Sequence, residues 1–305
     1  MDNKITKTRL KTFFTYDLIK VLAIMLVLCV ACTIVFNAIS EKPTSAQTFY
    51  VLCDPEIVIG EEGDMLPIET ARKGVENGGF SYDILEVSTK SVQVAGAYNA
   101  SYMLNTSVEL GDDDIFITGK TLGKEYMEKY AAADIVGLVK NAKKYCIDQG
   151  FYTESGEINE EKIKEYFVKT RTKYNRFKFG RNQEQGKALE IKRIKTIWEN
   201  ASVLEKVFNE HSEIFPSEFT SFTWGERVIT GNFAIDLSAL KGGDSKNDLT
   251  NAFKFALYNE ETGEVTYTSN GLYLMVGSNQ EFNGDLDYES LAYIRTIIEK
   301  YSNFI

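Results

Sequence analysis

The 305-residue chain reads as an α/β domain with a helical middle, preceded by one transmembrane helix. Three features predict this. Residues 21–39, VLAIMLVLCVACTIVFNAI, carry no charge and follow a basic N-terminus. Between residues 48 and 119, three short apolar strands alternate with helix-forming stretches, the pattern of a parallel sheet covered by helices. From residue 126 to 211, apolar side chains recur at helical spacing.

The apolar run would be roughly 28 Å long as a helix, about the thickness of a bilayer core. Lys4, Lys7, Arg9, Lys11 and Lys20 precede it against Asp2 and Asp17, whereas Glu41 and Lys42 cancel behind it. Positive flanks stay inside, so residues 1–20 are expected to be a cytoplasmic tail, 21–39 a single span in the cell membrane and the C-terminal domain extracellular. The rival reading is a cleaved signal peptide with its site at Ala38-Ile39-Ser40, but such peptides have an apolar core of about 7–15 residues. A lipoprotein ending at Cys32 is disfavoured because the chain stays apolar beyond it.

Residues 40–47, SEKPTSAQ, form a small polar linker, and the extracellular domain is expected to fill 48–305. TFYVLCD (48–54) is a β-rich run ending at Asp-Pro, a strand and a turn. Residues 66–77 suit a helix stopped by Gly78 and Gly79. Residues 80–89 read as a second strand, 91–110 as a helix, and IFITG (115–119) as a third strand. The middle is expected to hold one amphipathic helix over 126–149. A second is opened by Asn159, with Glu160 and Glu161 in its first turn, and runs to about 179. A third covers 183–211, with Trp198 on its apolar face. Alternation returns at 227–237, a hairpin is expected from 253–257 and 264–268, and an apolar strand from 272–277. Asp285 or Asp287 is expected to cap a last helix with Leu291, Ile294, Ile298 and Tyr301 on one face.

The net charge is −10, yet residues 160–195 hold twelve Lys/Arg against five Glu, a local +7. This basic helical stretch either pairs with acids of the same fold or meets an anionic surface. For the second reading, Lys169, Lys173 and Arg176 fall on one helical face. Nucleic acid is not an expected partner outside the cell. Cys29 and Cys32 lie in the apolar run, and only Cys53 and Cys146 remain to pair outside it, which is no disulfide framework. His211 is the only histidine, so any His-activated nucleophile would have to use it. It sits in a polar helix end, and no metal, phosphate-loop or nucleophile-elbow motif is present. No enzyme activity, metal or cofactor is expected. Asp112, Asp113 and Asp114 are expected to face water before a strand. The alternating Asn283, Asp285, Asp287 and Glu289 lack the glycine that a calcium loop needs, since Tyr288 stands there. Phe219, Phe222 and Trp224 are expected to pack in the core, with sugar stacking on Trp224 as the alternative.

Four segments, FYVLCD, GDDDIFITG, FAIDLSAL and LYLMVGSNQ with the helix after it, resemble the bacterial extracellular solute-binding proteins that serve ABC importers. The resemblance implies a periplasmic-binding-protein-like, two-lobe ectodomain. Lobe 1 would take about 48–125 plus 265–305, and the helical second part about 126–225. It further implies a sugar or other small solute bound near Asp54, Asp114, Thr118, Trp224 and Asp236, and an ABC permease or other membrane protein as partner. The outer part is short for that family, and a membrane helix replaces its usual lipid-attachment cysteine. The alternative is a structural or regulatory cell-surface ectodomain that docks on a membrane or wall partner without a small ligand.

Overall fold

The computed structural model describes residues 7–12, 14, 18–39, 48–60, 86–91, 104–109, 113–130, 132–171, 183–240, 248–259, 262–277 and 288–305. The chain forms two compact units, Met1–Thr44 and Ser45–Ile305. The first contains helices α1 (Lys7–Thr12) and α2 (Leu18–Ile39). The backbone of α2 is helical for 22 residues, about 33 Å at 1.5 Å per residue. Its side chains at Leu22, Ile24, Met25, Leu26, Val27, Leu28 and Val30 are all exposed. Among the described residues, no helix is long and apolar enough to cross a membrane.

The second unit is built on a mixed five-stranded sheet. Its strands are β1 (Thr48–Cys53), β3 (Glu86–Ser91), β4 (Ile115–Thr118), β7 (Ile235–Asp236) and β10 (Tyr273–Val276), in the order β3-β1-β4-β10-β7. β1 is parallel to β3 and β4, while β10 runs antiparallel between β4 and β7. A smaller antiparallel sheet joins β2 (Ile57–Ile59) to the hairpin of β8 (Phe253–Tyr258) and β9 (Val265–Thr268). β5 (Ser221–Trp224) and β6 (Arg227–Thr230) form a separate hairpin.

Every residue of β1, β4 and β10 is buried, so these strands must be covered on both faces. Alternation divides their side chains between two cores. Phe49, Val51, Cys53, Ile115, Ile117, Leu274 and Val276 meet helices α4 (Ile135–Asp148), α6 (Gln183–Glu210) and α7 (Glu289–Tyr301), with Ile163 of α5 (Glu160–Tyr166) in the same cluster. Leu52, Phe116, Tyr273 and Met275 meet Leu104, α3 (Lys120–Tyr130) and the β5–β6 hairpin. The helical middle and the strands thus share one core. Residues 48–118 and 272–301 meet through the β4–β10 ladder and the Phe49–Tyr293 ring contact at 5.9 Å.

Several local expectations change in this setting. The single helix expected over 126–149 is two, α3 and α4. Ala133 N–H donates to the Val276 carbonyl of β10 and Ile135 N–H to the Asn232 carbonyl between β6 and β7, so distant chain takes the donors that a continuous helix would use. Asn159 caps α5 as expected, its side chain accepting from Lys162 N–H. That helix ends at Tyr166 and passes into a π-helical turn, Phe167–Arg171. The strand expected over 227–237 splits into β6 and β7. Asn232 N–H turns aside to the Asp134 carboxylate and Phe233 N–H to the Phe219 carbonyl. β3 at Glu86–Ser91 overlaps the second strand expected over 80–89, of which residues 80–85 lie outside the described residues.

The helix expected over 66–77, most of that over 91–110, and Asp285 and Asp287 lie outside the described residues. Tyr288 holds the N-cap position of α7 without a side-chain cap bond. Trp198 is partly buried. Its indole stacks on Tyr152 at 4.2 Å, and the Lys143 ammonium stands 5.2 Å from the ring centre. Cys53 and Cys146 are both buried, and neither is in a disulfide.

Leu204, on the core face of α6, is fully buried in the cluster that joins helices to sheet. Leu204→Ala should lower the unfolding free energy by about 2–5 kcal/mol in urea titration. A loss under about 0.5 kcal/mol, the scale of surface positions, would mean that α6 does not cover the sheet.

Candidate functional site

In open α/β sheets, ligands bind beyond the carboxyl ends of the strands where the strand order reverses. Here the chain goes from β1 to β3 on one side and to β4 on the other, so that point lies between the ends of β1 and β4. Asp54 and Thr118 stand there. Asp54 is 5% exposed and Thr118 fully buried. The Asp54 carboxylate accepts from Thr118 Oγ1 at 3.1 Å, from Gly119 N–H at 3.0 Å and from Glu56 N–H at 3.0 Å. It ties the loop after β1 to the loop after β4. The space above is also filled: a Cβ on Gly119 would lie 3.3 Å from the Phe255 ring of β8.

The antiparallel register of β10 extends this edge. Tyr273 pairs with Thr118 on one side and with Asp236 on the other. Asp54, Thr118, Tyr273 and Asp236 therefore form one row across the sheet. The Tyr273 hydroxyl is held above its usual titration range, first by burial and then by the charges of Asp236 and Glu218. Glu218 pairs with Lys120, the first residue of α3, at 2.7 Å, and that hydrogen bond leads in lowering its carboxyl below the usual value. Asp236 also serves its own turn, accepting from Ser238 N–H at 2.8 Å and from Ser238 Oγ. The spacing of residues in the chain contains no sign of Tyr273, Glu218, Lys120 or Phe255. They arrive through strand register and through the loop that carries β8.

Two expected site residues lie elsewhere. Asp114 is at the opposite end of β4, about 13 Å of strand from Thr118. Its carboxylate accepts from Tyr50 N–H at 2.7 Å, so it fastens the start of the β1–β4 ladder and lines no carboxyl-edge cleft. Its neighbour Asp113 does not face water. It is 2% exposed and accepts from the buried Tyr126 hydroxyl at 2.6 Å. Burial, followed by the Asp113 charge, pushes the Tyr126 hydroxyl well above its usual range. The backbone at Gly277 packs so closely on Asp113 that a Cβ there would collide with the Asp113 carbonyl.

Trp224 is 46% exposed at the end of the β5–β6 hairpin, while Phe219 and Phe222 are buried as expected. The indole is too open for the core, because the hairpin carries it beyond the last layer it packs on. It pairs with Arg227 in the β5–β6 ladder, and its ring meets Phe222 edge-on at 6.4 Å.

The basic segment resolves in part. Each of its five glutamates faces a cation of the same stretch: Glu160 with Lys195, Glu161 with Lys164, Glu165 with Lys162, Glu184 with Lys187 and Glu190 with Arg193. Lys169 is exposed, while Lys173 and Arg176 lie outside the described residues, as do Asn283, Asp285 and Asp287. His211 stacks on Phe304 at 3.8 Å and meets Glu213 at 3.0 Å, which fits a packing role at the end of α6. Among the described residues, no group of His, Cys, Asp and Glu is arranged to hold a metal ion.

Compared with family models, known proteins and solved structures, the chain matches none, so its likeness to solute-binding proteins rests on the four short segments.

Asp54→Ala would strand the Gly119 amide and remove an acceptor from the exposed Glu56 amide, while the Thr118 hydroxyl keeps the Gly119 carbonyl at 3.1 Å. Stability should fall by about 1–3 kcal/mol in urea titration, the cost of an orphaned buried group. A carboxylate held for a ligand behaves in the opposite way. Its removal leaves stability unchanged or raises it.

Proposed function

We propose that this protein is a single-pass, membrane-anchored ectodomain that works by docking at the cell surface and does not capture a small solute. One observation carries the choice against solute capture. The groups that the carboxyl edge would offer a ligand are spent internally: Asp54 on three donors, Asp236 on Ser238, with Phe255 packed against Gly119. Anchoring is supported by the uncharged run, the unbroken backbone of α2 and its exposed apolar side chains, which water would solvate poorly and lipid would cover. The basic flank supports a cytoplasmic N-terminus.

A second reading retains solute binding for an importer. What favours it is the place of Asp54, Thr118 and Asp236 on the edge where α/β sheets bind ligands. In that reading the domain is a two-lobed relative of the solute-binding proteins, with the helices of the middle standing in for its second lobe. A thermal-shift panel of sugars, amino acids and oligopeptides on residues 45–305 separates the two. Docking predicts no saturable shift. A solute at 100 times its Kd would add about 2.7 kcal/mol of stability and overturn the docking reading.

Anchoring has its own test. Leu26→Arg with Val27→Arg places two charges at the middle of α2, each costing about 2.5–3.5 kcal/mol at a bilayer centre. The wild-type chain should stay in the membrane pellet after carbonate washing, and the double variant should move to the soluble fraction. A wild-type chain already soluble would refute the anchor.

A further inference from the structure

β9 is the outer strand of the small sheet among the described residues. Its hydrogen-bond parity is set by its neighbours. Asn259 N–H donates to the Glu264 carbonyl, and the β8–β9 register pairs Leu257 with Thr266 and Phe255 with Thr268. In an antiparallel ladder every second residue bonds inward. Glu264, Thr266 and Thr268 therefore bond toward β8, and the backbone groups of Val265 and Tyr267 point away from it. The same two residues expose 49% and 53% of their surface. Natural edge strands are guarded by lysine, proline or a bulge. β9 is VTYT and has no charge, proline or bulge along its length. Lys254 of the adjacent strand lies over the Tyr267 ring, 4.5 Å from its centre, on the sheet face and off the edge.

We propose that this edge pairs antiparallel with β9 of a second copy of the chain, making one continuous six-stranded sheet across a two-fold axis. β9 is self-complementary in the register centred on Thr266. There Val265 exchanges backbone hydrogen bonds with Tyr267 of the second copy, and the reverse. Each such pair joins a β-branched residue to an aromatic on one face, a favourable cross-strand combination. The charge pattern fits a second copy as well. The flanking acid Glu264 meets Thr268 of the second copy instead of its own carboxylate, so a chain of net charge −10 meets itself along an uncharged strand. Four residues of strand bury too little surface for a tight dimer in dilute solution. Two copies held in one membrane raise the effective concentration enough to compensate, and in this respect alone the proposal rests on the anchored reading.

Thr266 of each copy would sit opposite its equivalent as a non-hydrogen-bonded pair, with Cα atoms about 4.5 Å apart, within disulfide reach. The test uses the full chain in membranes with Cys29→Ala and Cys32→Ala. On mild oxidation, Thr266→Cys should give a disulfide-linked dimer at least roughly tenfold above Thr223→Cys on the other hairpin, a margin below the gain that co-tethering allows. Adding Val265→Pro removes an outward donor and no bond to β8, so dimer should return to the control level while the unfolding midpoint holds. Tyr267→Lys serves the same purpose should the proline variant unfold. Crosslinking of Thr266→Cys no higher than the control would overturn the proposal, and so would crosslinking that survives a folded edge variant. A chain that washes out of the membrane would sink the anchored reading only. The Thr266→Cys readout at high concentration in solution would then decide the pairing by itself.

Discussion

Three strands with no exposed face impose the architecture of the Ser45–Ile305 unit. β1, β4 and β10 are buried along their whole length, so each carries one set of side chains for either side of the sheet. Such strands are stable only between two covering layers. One layer is drawn from α4, α6 and α7, the other from α3 and the β5–β6 hairpin. Because β10 must enter between β4 and β7, the last third of the chain is tied to the first. Polar bonds at the two ends of the β1–β4 pair complete the arrangement: Tyr50 to Asp114 at one end and Thr118 to Asp54 at the other. These carboxylates take up backbone and hydroxyl donors that would otherwise be buried without partners, which is costlier than the bonds are favourable.

The same bonds bear on function. An edge that could bind a ligand at the strand-order switch is instead a closed row, with Asp54, Thr118, Tyr273 and Asp236 engaged by neighbouring turns and by Glu218. The exposed groups lie away from this row. Trp224 ends one hairpin, and Val265 and Tyr267 line the outer strand of another. That division, a satisfied carboxyl edge and an uncharged outer strand, is the ground on which docking is proposed over solute capture.

Charge follows a similar division. Within residues 160–195 every glutamate has a cation opposite it, so the local surplus of positive charge is carried by the remaining basic residues, chiefly between 169 and 181. Most of the pairs are solvent-exposed and add little to stability. The Glu190–Arg193 pair differs, being buried on α6.

The amino-acid sequence by itself determined the elements whose signal is local. The charge-free run of α2, the apolar strands β1, β4 and β10, the asparagine cap of α5 and the long amphipathic α6 are each legible because hydrophobic period, length and capping chemistry lie within a few neighbouring residues. Tertiary structure decided whatever depended on a distant partner. The break between α3 and α4 comes from the Val276 and Asn232 carbonyls, more than 90 residues away, and the split of β6 from β7 from the Asp134 carboxylate. Of the expected site residues, Asp54, Thr118 and Asp236 were brought into one row by strand register. Asp114 was carried to the far end of its strand, because Ile115, Phe116 and Ile117 of extended chain separate it from Thr118, and Trp224 was left outside on a hairpin. Residue type tells that a carboxylate accepts hydrogen bonds. Which donors reach it, and whether any acceptor remains for a ligand, is set by the register and packing of chain far away in sequence.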